Sequence, residues 1–340
     1  MYVKGLSATT FLVVNYKLRR KFSMTIIAKE RNGAVTPFGT HGKLHVEGAK
    51  LLNEKGEVCQ LKGISTHNVG LYPEYVNEAC IAELTDKFGL SVFRLAMYSG
   101  EADDIFGYAD GDDANREKLE KIMLEAVEAC AKLGIYVIVD WHILRDGNPN
   151  THADMAEHFF RKVCPVLKDY DNVIYEFCNQ PITEGPWAEV TRYANFIIPV
   201  IRELDADKVI IVGTPVWSQR VDEAVAEPLA FPNLVYTLHF YADTHRDELR
   251  QLMVDAIDKG LPVFVSEFGI CDASGNGPVN DEQTDIWIAL MNKLQLSYVL
   301  WNLSNKDETS AILAPGCIVT SNFSKEDFSE CGKRVAGYMK

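Results

Sequence analysis

A chain of 340 residues with 47% hydrophobic content can bury a large core, and one barrel-sized domain is enough to account for it. Its 34 basic and 48 acidic side chains leave a formal charge of −14, which repels phosphate backbones and anionic lipid and so excludes nucleic acid and membrane surfaces as partners. A neutral ligand is unaffected by that field.

The first 23 residues stand apart. Lys4 ahead of the apolar run from Leu6 to Val14 resembles the short basic and apolar regions of an export signal and points to a secreted protein. Leu18-Arg19-Arg20-Lys21 occupies the place of the small-residue cleavage site, however, and the stretch is too short to span a bilayer. We therefore expect a leader or poorly ordered segment over residues 1–23 and a single folded domain over 24–340. Residues 44–46 and 50–52 are spaced for a small hairpin that plugs one end. From there, apolar runs alternate with amphipathic stretches. They predict strands at 61–65, 91–97, 136–141, 173–178, 208–212, 234–240, 262–266 and 298–301. The intervening helices are predicted at 77–88, 116–133, 152–167, 187–204, 246–259, 282–294 and 325–339, and only the connection around 218–226 is short. In the second helix Leu119, Met123, Ala126, Cys130 and Leu133 recur at spacings of three and four, which marks the face laid against a sheet. The fold class is α/β, a single-domain (β/α)8 TIM barrel, whose site lies at the C-terminal ends of its strands. The eight cysteines show no C-x-x-C pair and read as buried small hydrophobes, which neither requires nor excludes a disulfide.

Two strand endings carry the most chemistry. Val173-Ile174-Tyr175-Glu176-Phe177-Cys178-Asn179-Gln180-Pro181 and Pro262-Val263-Phe264-Val265-Ser266-Glu267-Phe268-Gly269 each stop at a polar residue before Pro or Gly. Retaining glycosidases place a carboxylate at each of two such positions, one as acid/base and one as nucleophile. Glu267 fits the second. Gln180 stands at the first, and an amide holds hydrogen bonds but neither gives nor takes a proton. The other strand ends contribute His67, Arg94, Asp140 with His142, Asn179, Thr214 with Trp217, His239 with Tyr241, and Trp301. Each alone is ordinary, but together they converge on one mouth. Glu176 is no substitute acid, since four residues at ~3.3 Å rise place it roughly 13 Å below Gln180, as a structural carboxylate inside the barrel.

The runs Leu61-Lys62-Gly63-Ile64-Ser65-Thr66-His67, Phe93-Arg94-Leu95-Ala96-Met97-Tyr98, Val139-Asp140-Trp141-His142, Asn179-Gln180-Pro181, His239-Phe240-Tyr241, Ser266-Glu267-Phe268-Gly269 and Trp301-Asn302-Leu303-Ser304-Asn305-Lys306 together resemble glycoside hydrolase family 5, particularly its bacterial and rumen endoglucanases. The resemblance runs from about Gly42 to the C-terminus. It implies a catalytic domain that cleaves internal β-1,4-glucosidic bonds with retention, with β-glucan or cello-oligosaccharides as partner, no cofactor, no metal, and a monomeric state. It implies Glu267 as nucleophile, held charged and aimed by Arg94 and Tyr241. Asn179 would bond the sugar 2-hydroxyl, His67, His142 and His239 would shape the sugar site, and Trp217 and Trp301 would face pyranose rings. Lys306 and Glu308 would bind hydroxyls further along the groove.

Two departures matter. The family carries Asn-Glu-Pro where this chain has Asn179-Gln180-Pro181, so turnover is expected to be impaired. Such enzymes often carry a Trp in the loop after strand one, where this chain has Leu71. Gln180 fits equally a catalytically inactive β-glucan-binding protein and a Glu-to-Gln exchange in an active enzyme. Xyloglucanase, lichenase and mannanase specificities stay open. A metal-dependent hydrolase of the amidohydrolase type would open with His-x-His on strand one, and Thr66-His67-Asn68 supplies a single histidine.

Overall fold

The computed structural model describes residues 26–100, 107–182 and 185–339, so the leader expected over 1–23 lies outside the described residues. Eight parallel strands close into a barrel in sequence order: β1 (Lys62–Thr66), β2 (Val92–Tyr98), β3 (Tyr136–His142), β4 (Val173–Glu176), β5 (Ile210–Val212), β6 (Leu234–Tyr241), β7 (Val263–Gly269) and β8 (Tyr298–Leu303), with β8 pairing back onto β1. Every residue of β2 and β3 is buried, as expected of strands with helices on one side and a filled interior on the other. The helical layer comprises α1 (Glu78–Phe88), α2 (Asp113–Leu133), α3 (Ala153–Leu167), α4 (Trp187–Leu204), α5 (Val221–Ala226), α6 (Asp247–Asp258), α7 (Asp281–Leu294) and α8 (Glu330–Tyr338). Among the described residues no helix is long and apolar enough to cross a membrane.

Local chemistry sets the boundaries. The Asn77 side chain accepts from the Cys80 N–H to start α1, and Gly89 ends it in the left-handed region at φ 72°. Asp112 caps α2, which starts at Asp113, three residues before the sequence-predicted start, because the Asp112 carboxylate takes the Asn115 N–H. The predicted helix over 325–339 is in fact two pieces, a 3-10 turn at Lys325–Asp327 and then α8, since Ser324 and Ser329 each cap a separate start. The predicted hairpin forms between His45–Glu47 and Lys50–Leu52. It closes the N-terminal end of the barrel, where the Val46 N–H donates to Asn233 and Lys50 reaches the Leu294 carbonyl. All eight cysteines are buried free thiols.

The fourth strand ends at Glu176, not at Cys178, so residues 177–180 curl over the barrel mouth and the straight-strand separation of Glu176 from Gln180 does not apply. Gly213 permits this curl: a Cβ there would lie 2.2 Å from the Cys178 carbonyl oxygen. Only a residue without a side chain lets β5 pass so close.

Candidate active site

At the centre of the mouth one cation meets three acids. Arg94, on β2 and wholly buried, places Nη2 3.0 Å from Asp140 on β3, Nε 2.8 Å from Glu176 on β4 and Nη1 3.2 Å from Glu267 on β7. Nη2 also donates to Asn179 Oδ1 at 2.6 Å, and Nη1 to Ser65 Oγ at 3.3 Å. Burial pushes all three carboxyls up to about 7, with Arg94 pulling each back down. Those same acids hold the guanidinium firmly protonated. The second oxygen of Glu267 accepts the Tyr241 hydroxyl at 3.0 Å. Gly269 makes that contact possible, because a Cβ there would sit 2.2 Å from the Tyr241 ring.

Gln180 meets the strand beside Glu267 at His239. His239 stands opposite Glu267 in the β6–β7 register, and Gln180 Nε2 lies 2.8 Å from its Nδ1. Its Nε2 lies 2.9 Å from Ser266 Oγ, and Ser266 donates to Glu176 Oε1 at 2.7 Å. Burial drives His239 well below its ordinary pKa, so the ring is neutral.

His142 is a wedge. Its Nδ1 is 2.7 Å from Asp140, its Nε2 is 3.2 Å from Asn179 Nδ2, and its faces stack on Tyr98 and Trp301 with centroids 4.3 and 5.3 Å away. With both nitrogens and both faces committed, it orients Asn179 and has nothing left for a sugar hydroxyl. The second N–H of Asn179 goes to the Ile143 carbonyl, so the hydrogen-bonding capacity left on that side chain is a lone pair of Oδ1. His67 packs against Tyr72, Tyr98 and Trp301, accepts the Asn68 N–H on Nδ1, and is held neutral by burial, its pKa falling to about 3. Trp301 is 7% exposed and so walls the site, whereas Trp217 is 42% exposed and free to meet a ligand. Lys306 and Glu308 pair with each other, and Glu308 also takes the Ser310 hydroxyl. No three His, Cys, Asp or Glu side chains among the described residues are grouped as metal ligands.

The segment carrying Trp217 is unusual. Val216, Trp217 and Ser218 all have left-handed backbones, with φ of 56°, 55° and 58°. Such conformations cost roughly 1–2 kcal/mol per non-glycine residue. The turn is held by the Trp217 N–H on the Pro181 carbonyl at 2.9 Å and the Ser218 hydroxyl on the Asn179 carbonyl at 2.6 Å. It therefore lashes the loop after β5 to the loop bearing Gln180 and projects the indole beside it.

The sequence reading missed Ser266 and Thr237, hydroxyls 2.7 Å apart beneath His239, and Tyr98, which pairs with His142 in the β2–β3 register. Polar residues inside apolar strands were the available signal for the first two.

The family model for cellulases, glycosyl hydrolase family 5, matches residues 52–307. Endoglucanase A of Butyrivibrio fibrisolvens is 45% identical over 291 residues, 85% of this chain and 67% of that protein. An endoglucanase of Clostridium saccharobutylicum is 41% identical over 300 residues, 88% of this chain and 65% of that one. The chain thus spans about two thirds of the length of these relatives. Among solved structures, cellulase Cel5C_n superposes with a TM-score of 0.84 at 38% identity, covering 90% of this chain and 94% of its own. A Glu-to-Gln variant of the Thermobifida fusca endoglucanase Cel5A catalytic domain, in complex with cellotetraose, superposes at 0.83 with 32% identity, covering 89% and 99%. On the strength of the matched family model and these identities, the chain belongs to the cellulases of glycosyl hydrolase family 5.

Proposed function

We propose that the chain is an endo-β-1,4-glucanase of the retaining type whose acid/base position is occupied by an amide. The observation that carries this reading is the placement of Glu267 between Arg94 and Tyr241, with Gln180 meeting the strand beside it at His239. Glu267 attacks the anomeric carbon as a carboxylate, and the guanidinium and the phenol hold its two oxygens in a fixed plane. The free lone pair of Asn179 Oδ1 accepts from the sugar 2-hydroxyl, a contact that strengthens as oxocarbenium character develops. Trp217 offers a ring face to the sugar on the Gln180 side, Trp301 walls the central ring, and Lys306 and Glu308 lie toward the outer groove. Gln180 leaves the departing sugar without a proton, so natural substrate is bound but turned over slowly. A polymer substrate is too large to enter a cell, which supports action outside it.

An aryl glycoside with a good leaving group separates this reading from that of a glycan-binding protein, which Gln180 alone also favours. The enzyme should release the aryl group in a burst and accumulate a glycosyl-enzyme on Glu267, seen as a mass increase of the intact protein. Absence of the adduct leaves the binding-protein reading. The rate of adduct formation should rise with pH along a single limb centred near 7, because burial holds the Glu267 proton up to about that pH and ionisation creates the nucleophile. No descending limb follows, since Gln180 has no proton to lose.

Trp217→Gly tests the strained turn. Cello-oligosaccharide binding, measured by calorimetry, should weaken about tenfold, the worth of ~1.4 kcal/mol of ring contact. Denaturant stability should hold or increase, because glycine accepts the left-handed backbone that tryptophan resists. Undiminished affinity rules the platform out.

A further inference from the structure

Behind Gln180, hydrogen bonds run unbroken to the floor of the site, and their directions follow from one another. Arg94 grips Glu176 with Nε at 2.8 Å and Nη2 at 3.2 Å, which marks Glu176 as the acceptor for Ser266 at 2.7 Å. With its proton committed there, Ser266 Oγ must accept from His239 Nε2 at 2.9 Å. Thr237 Oγ1 accepts the Ser266 N–H at 3.1 Å and keeps its own hydrogen for Ser266 Oγ, 2.7 Å away. A neutral imidazole with hydrogen on Nε2 has a bare Nδ1, and Gln180 Nε2 donates to it at 2.8 Å. Every donor has one acceptor, and the whole relay points from position 180 toward Glu176.

The geometry points to Glu176 as a proton-holding positioning residue for position 180, exchanging one proton with it through His239 and Ser266, and to Gln180 as the side chain that freezes this relay in one direction. This rests on the reading of position 180 as the acid/base site. A carboxylate at 180 can only accept, so the relay must reverse. A proton passes from the carboxylic acid at 180 to His239 Nδ1, the Nε2 proton passes to Ser266 Oγ, and the Ser266 proton passes to Glu176. One O–H bond is lost at 180 and one is gained at Glu176, with the imidazole neutral before and after. The reverse transfer reloads the acid for the next cycle. The charged groups facing Glu176 from other strands are Arg94 on β2, Asp140 on the adjacent β3 and Glu267 on β7, and among the described residues Arg94 is the cation there. Burial already favours a proton on Glu176, whose carboxyl lies up near 7.

The test uses the whole chain without substrate, so it stands or falls apart from activity. Nitrogen-15 NMR of histidine-labelled protein should show His239 with Nδ1 bare in the present chain and with Nε2 bare in Gln180→Glu at neutral pH. An unchanged tautomer overturns the relay. The infrared difference spectrum of Gln180→Glu against the present chain should gain one protonated-carboxyl band, in which Asp140 and Glu267 cancel. Adding Glu176→Gln should remove the band, and a band that survives it overturns the assignment of the proton to Glu176. Should the tautomer and band behave as expected in a Gln180→Glu protein that hydrolyses no β-glucan, the relay holds and the glucanase reading fails.

Discussion

Gln180→Glu is expected to raise the hydrolysis rate of cello-oligosaccharides by about 10²- to 10⁴-fold, the usual contribution of general acid/base catalysis. The gain should be greatest for unactivated sugar leaving groups, which depart poorly without a proton, and small for aryl glycosides, whose leaving groups need none. The structure favours a clean revertant, because Glu matches Gln in size and Gln180 already sits 2.8 Å from His239. The new carboxylate would keep that contact with the ring turned to its other tautomer. Product analysis by proton NMR should show the β-configuration retained in the first sugar released. A revertant inactive on every β-glucan, or one releasing inverted product, would show that the site works differently from the one described.

Glu267→Gln should cut adduct formation with a fluorosugar by roughly 10⁴-fold or more, the scale on which an enzyme loses activity with its nucleophile. The same substitution should leave the fold intact and, above neutral pH, stabilise it. In the folded chain Glu267 holds its proton up to about pH 7, whereas in the unfolded chain it releases the proton near the ordinary carboxylate value. The folded parent therefore binds more protons than the unfolded chain between those limits, and its stability falls as pH rises through them. An amide carries no such dependence. The melting temperature of the variant relative to the parent should be unchanged near pH 4, climb toward pH 7 and level off above it. A fully labelled variant would move the nucleophile elsewhere.

Barrel class, strand order and most site residues were legible because they depend on local signals: apolar runs, glycine stops, and a polar residue where an apolar strand ends. Glu267, Gln180 and Arg94 were singled out this way, and Arg94 and Glu267 meet in the structure together with the buried Glu176. What escaped the sequence were the pairings. That His142 is spent on Asp140, Asn179 and two aromatic rings depends on which strands are neighbours and in what register. The left-handed run at Val216–Ser218 carries no glycine to announce it, and the early end of β4 at Glu176 cannot be seen in a segment as apolar as Phe177-Cys178. Cooperation among distant segments overrode local preference at each of these places.

The sharing of Arg94 among strands of both halves of the barrel bears on how the chain folds. A half made of β1 to β4 contains Arg94, Asp140 and Glu176, while Glu267 arrives only with β7. Until the second half docks, Glu267 has only the Tyr241 hydroxyl to hold its charge, and the first half exposes its ionic centre to water. Each half is thus an unfinished electrostatic object, and closure completes both at once. Native-state hydrogen exchange should find the amides of β2 and β7 opening together in one global event, and independent opening of either strand would show that the halves fold on separate accounts.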